Sequence, residues 1–129
     1  MDRMVVSTDK APGAVGPYSQ AVIAGDLVFT AGTLPLDPKT GEVVAGEIGA
    51  QVRQALSNVQ QVLEAAGSSL DQVVKTTVFL TDFGNFAEMN SVYAEFFTSA
   101  PPARSTVEIG PLPKGMLVQI DAVALLCSS

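Results

Sequence analysis

The sequence predicts an α+β fold in which two helices cover one face of a mixed six-stranded sheet. Three observations support this prediction. The length of 129 residues suits one compact domain. Strand-like and helical patterns follow one another as a strand, a hairpin, a helix, a strand, a helix and two final strands. No low-complexity tract or domain boundary interrupts them, so we treat residues 1–129 as a single domain.

The first third of the chain has the pattern of strands. Residues 2–7 are expected to form a short edge strand. A loop rich in Gly and Pro follows, and it is expected to be ordered. Residues 21–36 then form a predicted β-hairpin, because Gly25-Asp26 lies between two β-prone runs. The second run ends at Gly32.

Two segments have the helical period. Residues 47–66 carry an apolar residue at every third or fourth position, and Gly67 is a suitable C-terminal stop. The opposite side of this helix is expected to be solvated, and it carries Gln51, Arg53, Gln54, Asn58 and Glu64. Residues 85–97 form the second predicted helix, which Pro101-Pro102 is expected to end.

The last strands contain two charged residues of interest. Residues 70–80 include a β-branched run long enough for a buried strand, and residues 101–126 hold two more runs around a Gly/Pro-rich break at 110–115. Arg104 and Asp121 lie inside these runs, where an unpaired charge is costly. If the two runs are neighbours, both side chains fall on one face. They would then form a minimal site for a small carboxylic acid.

Structural interpretations of the same residues remain open. Arg104 is equally suited to a salt bridge with Asp121 or Glu108. Tyr18 would serve as an anchor for its loop. Asn90 lies on the apolar stripe of the second helix, where a buried amide either secures a loop or faces a ligand.

Composition narrows the classes of function. The formal net charge is −6, with seven basic residues and no basic run, which disfavours broad binding of a nucleic-acid backbone. With no histidine and one cysteine, His-based triads and the usual zinc ligand sets are excluded, and we expect no metal site. The single cysteine fits a reducing compartment, and no apolar run reaches membrane-spanning length. We therefore expect a cytoplasmic protein without a membrane span.

One face of the predicted sheet has no layer over it. Two helices cover one side, while Val, Leu and Thr residues would line the other. Burying a single Leu or Val typically contributes about 1.5–3 kcal/mol, so a whole apolar face is expected to be covered by self-association. Ligand clefts are expected at the seams of such an assembly.

Six segments, in order over nearly the whole chain, together resemble one known family. They are GPYSQAV (16–22), GTLPLDPKTGE (32–42), VVKTTVFLTD (73–82), NSVYAEFF (90–97), PPARS (101–105) and IDAVA (120–124). The family they resemble is the RidA/YjgF family of enamine/imine deaminases, also called the endoribonuclease L-PSP or translation-inhibitor family. The resemblance implies a chorismate-mutase-like fold and a homotrimer, with three sheets around a central barrel and ligand clefts between subunits. It also implies hydrolysis of 2-imino acids such as 2-iminopropanoate and 2-iminobutanoate to 2-oxo acids and ammonia, without a cofactor.

The resemblance also implies roles for residues that bind the substrate. Arg104 matches the arginine that clamps the substrate carboxylate, and Tyr18 matches the loop tyrosine that closes the cleft. Asn90 matches the helix asparagine near the site. Gly32 and Thr33 match the loop whose backbone lines the pocket.

Two further positions depart from the family pattern. Thr106 stands where many relatives have cysteine, a change that is tolerated if the position contributes its backbone N–H. Asp121 stands where the deaminases usually have a glutamate that positions the attacking water. The shorter side chain can displace that water, and a shift of about 1 Å can reduce a rate about a hundredfold.

Two other functions are alternatives to the imine deaminase. The chain could be a ribonuclease or translation inhibitor, as some family names suggest, although its acidity and lack of histidine argue against it. It could also be a non-catalytic trimer that binds 2-oxo acids or acts as a chaperone-like holdase.

Overall fold

The structure is a computed structural model, and it describes residues 2–127. Within this range the α+β class and the predicted order of elements are confirmed. In chain order the strands and helices are β1 (Arg3–Val6), β2 (Ala21–Ala24), β3 (Leu27–Thr30), α1 (Ile48–Ala66), β4 (Val73–Leu80), α2 (Phe86–Phe96), β5 (Ala103–Glu108) and β6 (Val118–Leu125).

The strands form one mixed sheet in the order β1-β2-β3-β6-β4-β5. All neighbours are antiparallel except β4 and β5, which are parallel. The condition under which Arg104 and Asp121 would share a face, that the last two runs are neighbours, is not met, because β4 lies between β5 and β6. Glu108 at the end of β5 and Val118 at the start of β6 are both register partners of Leu80. The 110–115 break therefore crosses the end of β4 rather than closing a hairpin.

Both helices pack on the same side of the sheet. Helix α1 has the predicted bounds, and it ends at Gly67 in the left-handed conformation with φ of 89°. Glycine adopts this conformation without a steric penalty, so it suits the C-terminal end of a helix. Helix α2 ends at Phe96, and four residues separate it from Pro101, so the proline pair follows the helix end without causing it.

The polar side of α1 is only in part the solvated face that its pattern predicts, because Arg53 and Glu64 are exposed but two amides are not. Gln51 and Asn58 are both buried. Asn58 Nδ2 donates hydrogen bonds of 2.9 Å to the carbonyl oxygens of Leu34 and Leu36, and Gln51 Oε1 accepts one of 2.8 Å from the backbone N–H of Leu117. These amides fasten two loops to the helix, a use that helical periodicity does not reveal.

The helices cover only one of the two faces of the sheet. The helix face, which packs against α1 and α2, includes one side of β6, whose residues Val118, Ile120, Ala122 and Ala124 are all buried. The open face, on the opposite side, has no covering layer within residues 2–127. It exposes Phe29, Val107 and Leu125 by about two fifths each. No helix in the described range is both long and apolar enough to cross a membrane.

Candidate functional site

Arg104 lies on the helix face of the edge strand β5. Its register partner on β4 is the buried Thr76. Its Cζ atom lies 4.8 Å from the ring centroid of Tyr93 and 5.7 Å from that of Phe86, both on α2. A cation held against aromatic faces is stabilised without being neutralised.

The guanidinium of Arg104 has no salt bridge and no hydrogen-bonded side-chain partner within residues 2–127. Glu108, one of its two expected partners, instead accepts a hydrogen bond from the backbone N–H of Phe83. The salt-bridge interpretation of Arg104 is therefore wrong for the single chain. Its N–H donors remain available to a ligand carboxylate, for which their forked geometry is suited.

Asp121 lies on the opposite side of the sheet from Arg104. Its register partner is Thr77, whose neighbour Thr76 pairs with Arg104, and adjacent residues of a strand point to opposite faces. The expectation that Arg104 and Asp121 share a face is therefore wrong for one chain. The error follows from the misassigned strand order, because β4 and not β5 sets the register of β6.

Asp121 belongs to a small polar cluster on the open face. Ser105 and Asp121 are the two register partners of Thr77, and Lys75 Nζ donates a hydrogen bond of 2.7 Å to Ser105 Oγ. Partial burial raises the pKa of the Asp121 carboxyl above its usual 3.8, while Thr77 and the charge of Lys75 act in the opposite direction. The cluster places a carboxylate of raised basicity in a largely apolar surface.

Thr106 and Asn90 flank Arg104 on different elements. Thr106 lies two residues along β5 on the same face and pairs with Val78. Asn90 stands four residues after Phe86 and three before Tyr93, so it lies on the side of α2 that carries the two rings. Asn90 is exposed, and no side-chain hydrogen bond within residues 2–127 involves it, so the expectation of a buried amide is wrong. Its amide is therefore open to solvent beside the arginine.

Tyr18, Gly32 and Thr33 meet in a separate pocket. They line a space of about 490 Å³, part of it open to solvent, between the N-terminal loop and the end of β3. The Tyr18 side chain is half exposed, and its hydroxyl accepts a hydrogen bond of 3.3 Å from the backbone N–H of Val15. A Cβ atom at Gly32 would lie 2.6 Å from Cδ of Gln119, so the side chain of Gln119 passes directly over this glycine.

Gln20 is a residue of this pocket that the sequence analysis missed. It is buried, and its Nε2 atom donates to the carbonyl oxygens of Thr8 and Pro12 at 3.0 and 2.7 Å. Its Oε1 atom accepts from the backbone N–H of Thr8 at 2.7 Å. One amide thus fixes the loop that carries Tyr18. The available signal was an amide side chain placed directly between a Gly/Pro-rich loop and a strand.

The predicted site residues of one chain form two groups. The arginine group comprises Arg104, Thr106 and Asn90. The loop group comprises Tyr18, Gly32 and Thr33, with Asp121 nearby because Thr33 pairs with Ile120.

The two groups are too far apart for one small ligand. Thr33 bridges to Ile120, Ile120 pairs with Val78, and Val78 pairs with Thr106. Three strand spacings therefore separate them, or about 14 Å between backbones. A three- or four-carbon acid cannot contact both groups within a single chain.

Comparisons with known proteins agree over almost the whole chain. The family model described as Endoribonuclease L-PSP matches residues 8–126. A RutC family protein of Pyrococcus horikoshii is 53% identical, with 93% of this chain and 95% of that protein covered. The human 2-iminobutanoate/2-iminopropanoate deaminase is 44% identical, with 95% and 90% covered.

A solved structure also matches the fold of this chain closely. The crystal structure of the YjgF gene product of E. coli superposes with a TM-score of 0.90 at 46% identity, covering 95% of this chain and 98% of that one. Sequence and fold thus agree with the resemblance that the six segments carried. The chain belongs to the RidA/YjgF family, whose family model is described as Endoribonuclease L-PSP.

Proposed function

We propose that the protein is a hydrolytic deaminase that converts small 2-imino acids, such as 2-iminopropanoate and 2-iminobutanoate, to 2-oxo acids and ammonia. The observation that carries this proposal is the guanidinium of Arg104, a residue that is only partly buried and has no salt bridge within residues 2–127. Such a group suits a ligand with one carboxylate. The name of the human relative, a 2-iminobutanoate/2-iminopropanoate deaminase, supports the same substrate class.

The proposed reaction needs positioning and modest proton transfer. Arg104 binds the carboxylate bidentately and fixes the adjacent imine carbon. A water oriented by Asp121 adds to that carbon and passes a proton to the imine nitrogen, which gives a tetrahedral amino alcohol. The C–N bond then breaks, the hydroxyl oxygen becomes the ketone, its proton goes to the leaving nitrogen, and ammonia departs. General acid–base assistance of this kind typically contributes about 10²–10⁴-fold.

We further propose that each site is formed by two copies of the chain. The arginine group of one copy faces the loop group and Asp121 of its neighbour. This brings Arg104 together with a loop group that one chain holds about 14 Å away, and with an aspartate that one chain holds on the opposite face of the sheet. The uncovered open face supports association, because its exposed Phe29, Val107 and Leu125 would be buried by it. A homotrimer with three such clefts is the assembly that the family resemblance implies.

The test of the arginine role is Arg104→Ala in an assay that couples imine production by a pyridoxal-phosphate-dependent dehydratase to imine decay. Hydrogen bonds to charged groups each contribute about 1.5–3 kcal/mol, so loss of the fork is expected to reduce kcat/KM about 100-fold or more. Arg53→Ala is the matched control, since Arg53 forms an exposed ion pair of 3.0 Å with Glu95. Full acceleration by the Arg104 variant would contradict the proposal.

A further inference from the structure

The environment of Arg104 contains a buried hydroxyl pair that the proposed reaction does not use. Tyr93 is 6% exposed, and its ring is the nearer of the two that lie against the guanidinium. The Tyr93 hydroxyl lies 2.8 Å from Thr76 Oγ1, and Thr76 is 1% exposed. This hydrogen bond joins α2 to β4 at Thr76, which is the register partner of Arg104.

The ring of Tyr93 is fixed at more than one point. Its hydroxyl is bonded to Thr76, and its face packs against Phe97 with ring centroids 4.7 Å apart. Thr76 is in turn fixed as a register partner of both Arg104 and Ala122. Rotation or displacement of the ring therefore requires breaking a buried hydrogen bond and disturbing the sheet-facing side of α2.

A fixed aromatic face can orient a guanidinium without using its donors. A carboxylate partner would hold Arg104 as firmly, but it would occupy the N–H groups that a ligand needs. The Cζ atom of Arg104 lies over the ring of Tyr93, 4.8 Å from its centroid, and this contact uses none of the N–H donors. A ring fixed at this distance limits the orientations open to the guanidinium and hence to its bidentate edge.

We propose that Tyr93, held by Thr76, is a positioning residue that orients the guanidinium of Arg104 for bidentate binding of the substrate carboxylate. The inference rests on the proposed function, because it assigns the control of carboxylate affinity within that site. It also assigns no proton transfer to Tyr93, whose hydroxyl is already engaged. In agreement, burial raises the pKa of the Tyr93 hydroxyl above its usual 10.0, although Thr76 and Arg104 oppose the rise, so this group stays protonated at neutral pH.

The test uses the near-isosteric pair Thr76→Val and Tyr93→Phe, each of which removes one end of the hydrogen bond while keeping the shape of the side chain. The dissociation constant of 2-oxobutanoate, the stable product of 2-iminobutanoate hydrolysis, is measured by calorimetry for the full-length protein. Each variant is expected to weaken binding about three- to tenfold, the size of one lost hydrogen bond. The double variant should bind about as weakly as either single variant, because both remove the same bond.

A structural role alone would give a different result. Ser68→Ala is the matched control, since Ser68 is also buried and its hydroxyl donates to the carbonyl oxygen of Leu125 far along the sheet. It should lower the melting temperature without changing the dissociation constant. If the Thr76 and Tyr93 variants behaved like this control, with lower melting temperatures and unchanged affinity, the positioning role would be overturned.

The test also separates this inference from the proposed function. If the wild-type protein did not bind 2-oxobutanoate, or if Arg104→Ala bound it equally well, the carboxylate site itself would be refuted. If Arg104→Ala lost binding while Thr76→Val and Tyr93→Phe kept the wild-type affinity, only the inference about Tyr93 would fail. Wild-type binding with the expected pattern in all three variants would support both.

Discussion

At the scale of single residues, Arg104 and Asp121 have opposite kinds of surroundings. Arg104 lies against the rings of Tyr93 and Phe86, which orient a cation and leave its donors unoccupied. Asp121 lies among polar groups on the other face, where partial burial makes its carboxyl more basic. One residue is thereby prepared to bind an anion and the other to accept a proton or orient water.

The raised pKa of Asp121 predicts the pH dependence of the reaction. In the proposed reaction the carboxylate form orients water, and a raised pKa means that this form is lost at a higher pH than for an ordinary aspartate. The acceleration over the uncatalysed rate should therefore fall as the pH is lowered through the raised pKa. Imine decay measured from neutral to acidic pH, with the uncatalysed rate subtracted at each point, checks this expectation.

The matched variant for this pH profile is Asp121→Asn. It cannot ionise, so its residual acceleration should be low and should lack the acidic limb. An identical acidic limb in Asp121→Asn would show that another group is responsible, and Asp121 would lose its assigned role.

At the scale of elements, β4 determines where the site residues lie. Thr76 and Thr77 are adjacent on this strand, and they pair with Arg104 and Asp121 respectively. The period of two in each strand predicted correctly which residues share a face within β5 and within β6. The period could not predict whether β5 and β6 are neighbours, because strand order is decided by contacts distant in sequence.

For the helices too, the sequence pattern predicted local structure but not the contacts between distant segments. Apolar spacing predicted the bounds of α1 within one residue, because that spacing is a local property. Two polar positions of the helix, Gln51 and Asn58, were wrongly assigned to solvent, since an amide can be exposed or can bind a loop with the same periodicity. Asn58 and Gln51 are buried because the loops at 34–36 and at 117 fold back over α1.

The buried amide of Asn58 predicts a large stability effect. Asn58→Ala leaves the carbonyl oxygens of Leu34 and Leu36 without their donor in a site where the side chain is 1% exposed. We expect the free energy of unfolding to fall by about 2–4 kcal/mol, as measured by denaturant titration. Gln60→Ala is the control on the same helix, because Gln60 bonds only to the exposed Glu64. Equal losses in the two variants would contradict the assigned role of Asn58.

At the scale of the whole molecule, the single chain is incomplete in two respects. Its open face exposes apolar side chains, and its predicted site residues are divided between two groups that one small acid cannot span. Association of copies resolves both problems at once if the arginine group of one chain meets the loop group of the next. The expectation of association came from the sequence, whereas the proposed division of residues between copies depends on the strand register.

A complementation experiment tests the shared site. Arg104→Ala disables the arginine group of its own copy, and Asp121→Asn disables the side of the cleft that contains the loop group. A cleft that takes its arginine group from an Asp121→Asn copy and its aspartate from an Arg104→Ala copy therefore contains only wild-type residues. In a ring with one cleft at each junction, random mixing at equal amounts makes about a quarter of the clefts wild type. Co-expression of the two variants should therefore recover about a quarter of the wild-type activity, although each variant alone is nearly inactive.

The control for complementation is a pair of variants in the same group. Asp121→Asn co-expressed with Gly32→Leu should recover nothing, since no arrangement of these copies yields an intact cleft. Failure of the Arg104/Asp121 pair to recover, with mixed oligomers demonstrated by mass, would mean that the two groups do not act in one shared cleft.

The uncovered open face also affects how heat tolerance should be understood. If neighbouring copies supply its cover, folding and assembly are one equilibrium, and the midpoint of thermal denaturation rises with protein concentration. The protein would then have no single intrinsic melting point. Dilution alone would weaken it, even with every covalent bond and every intrachain contact unchanged.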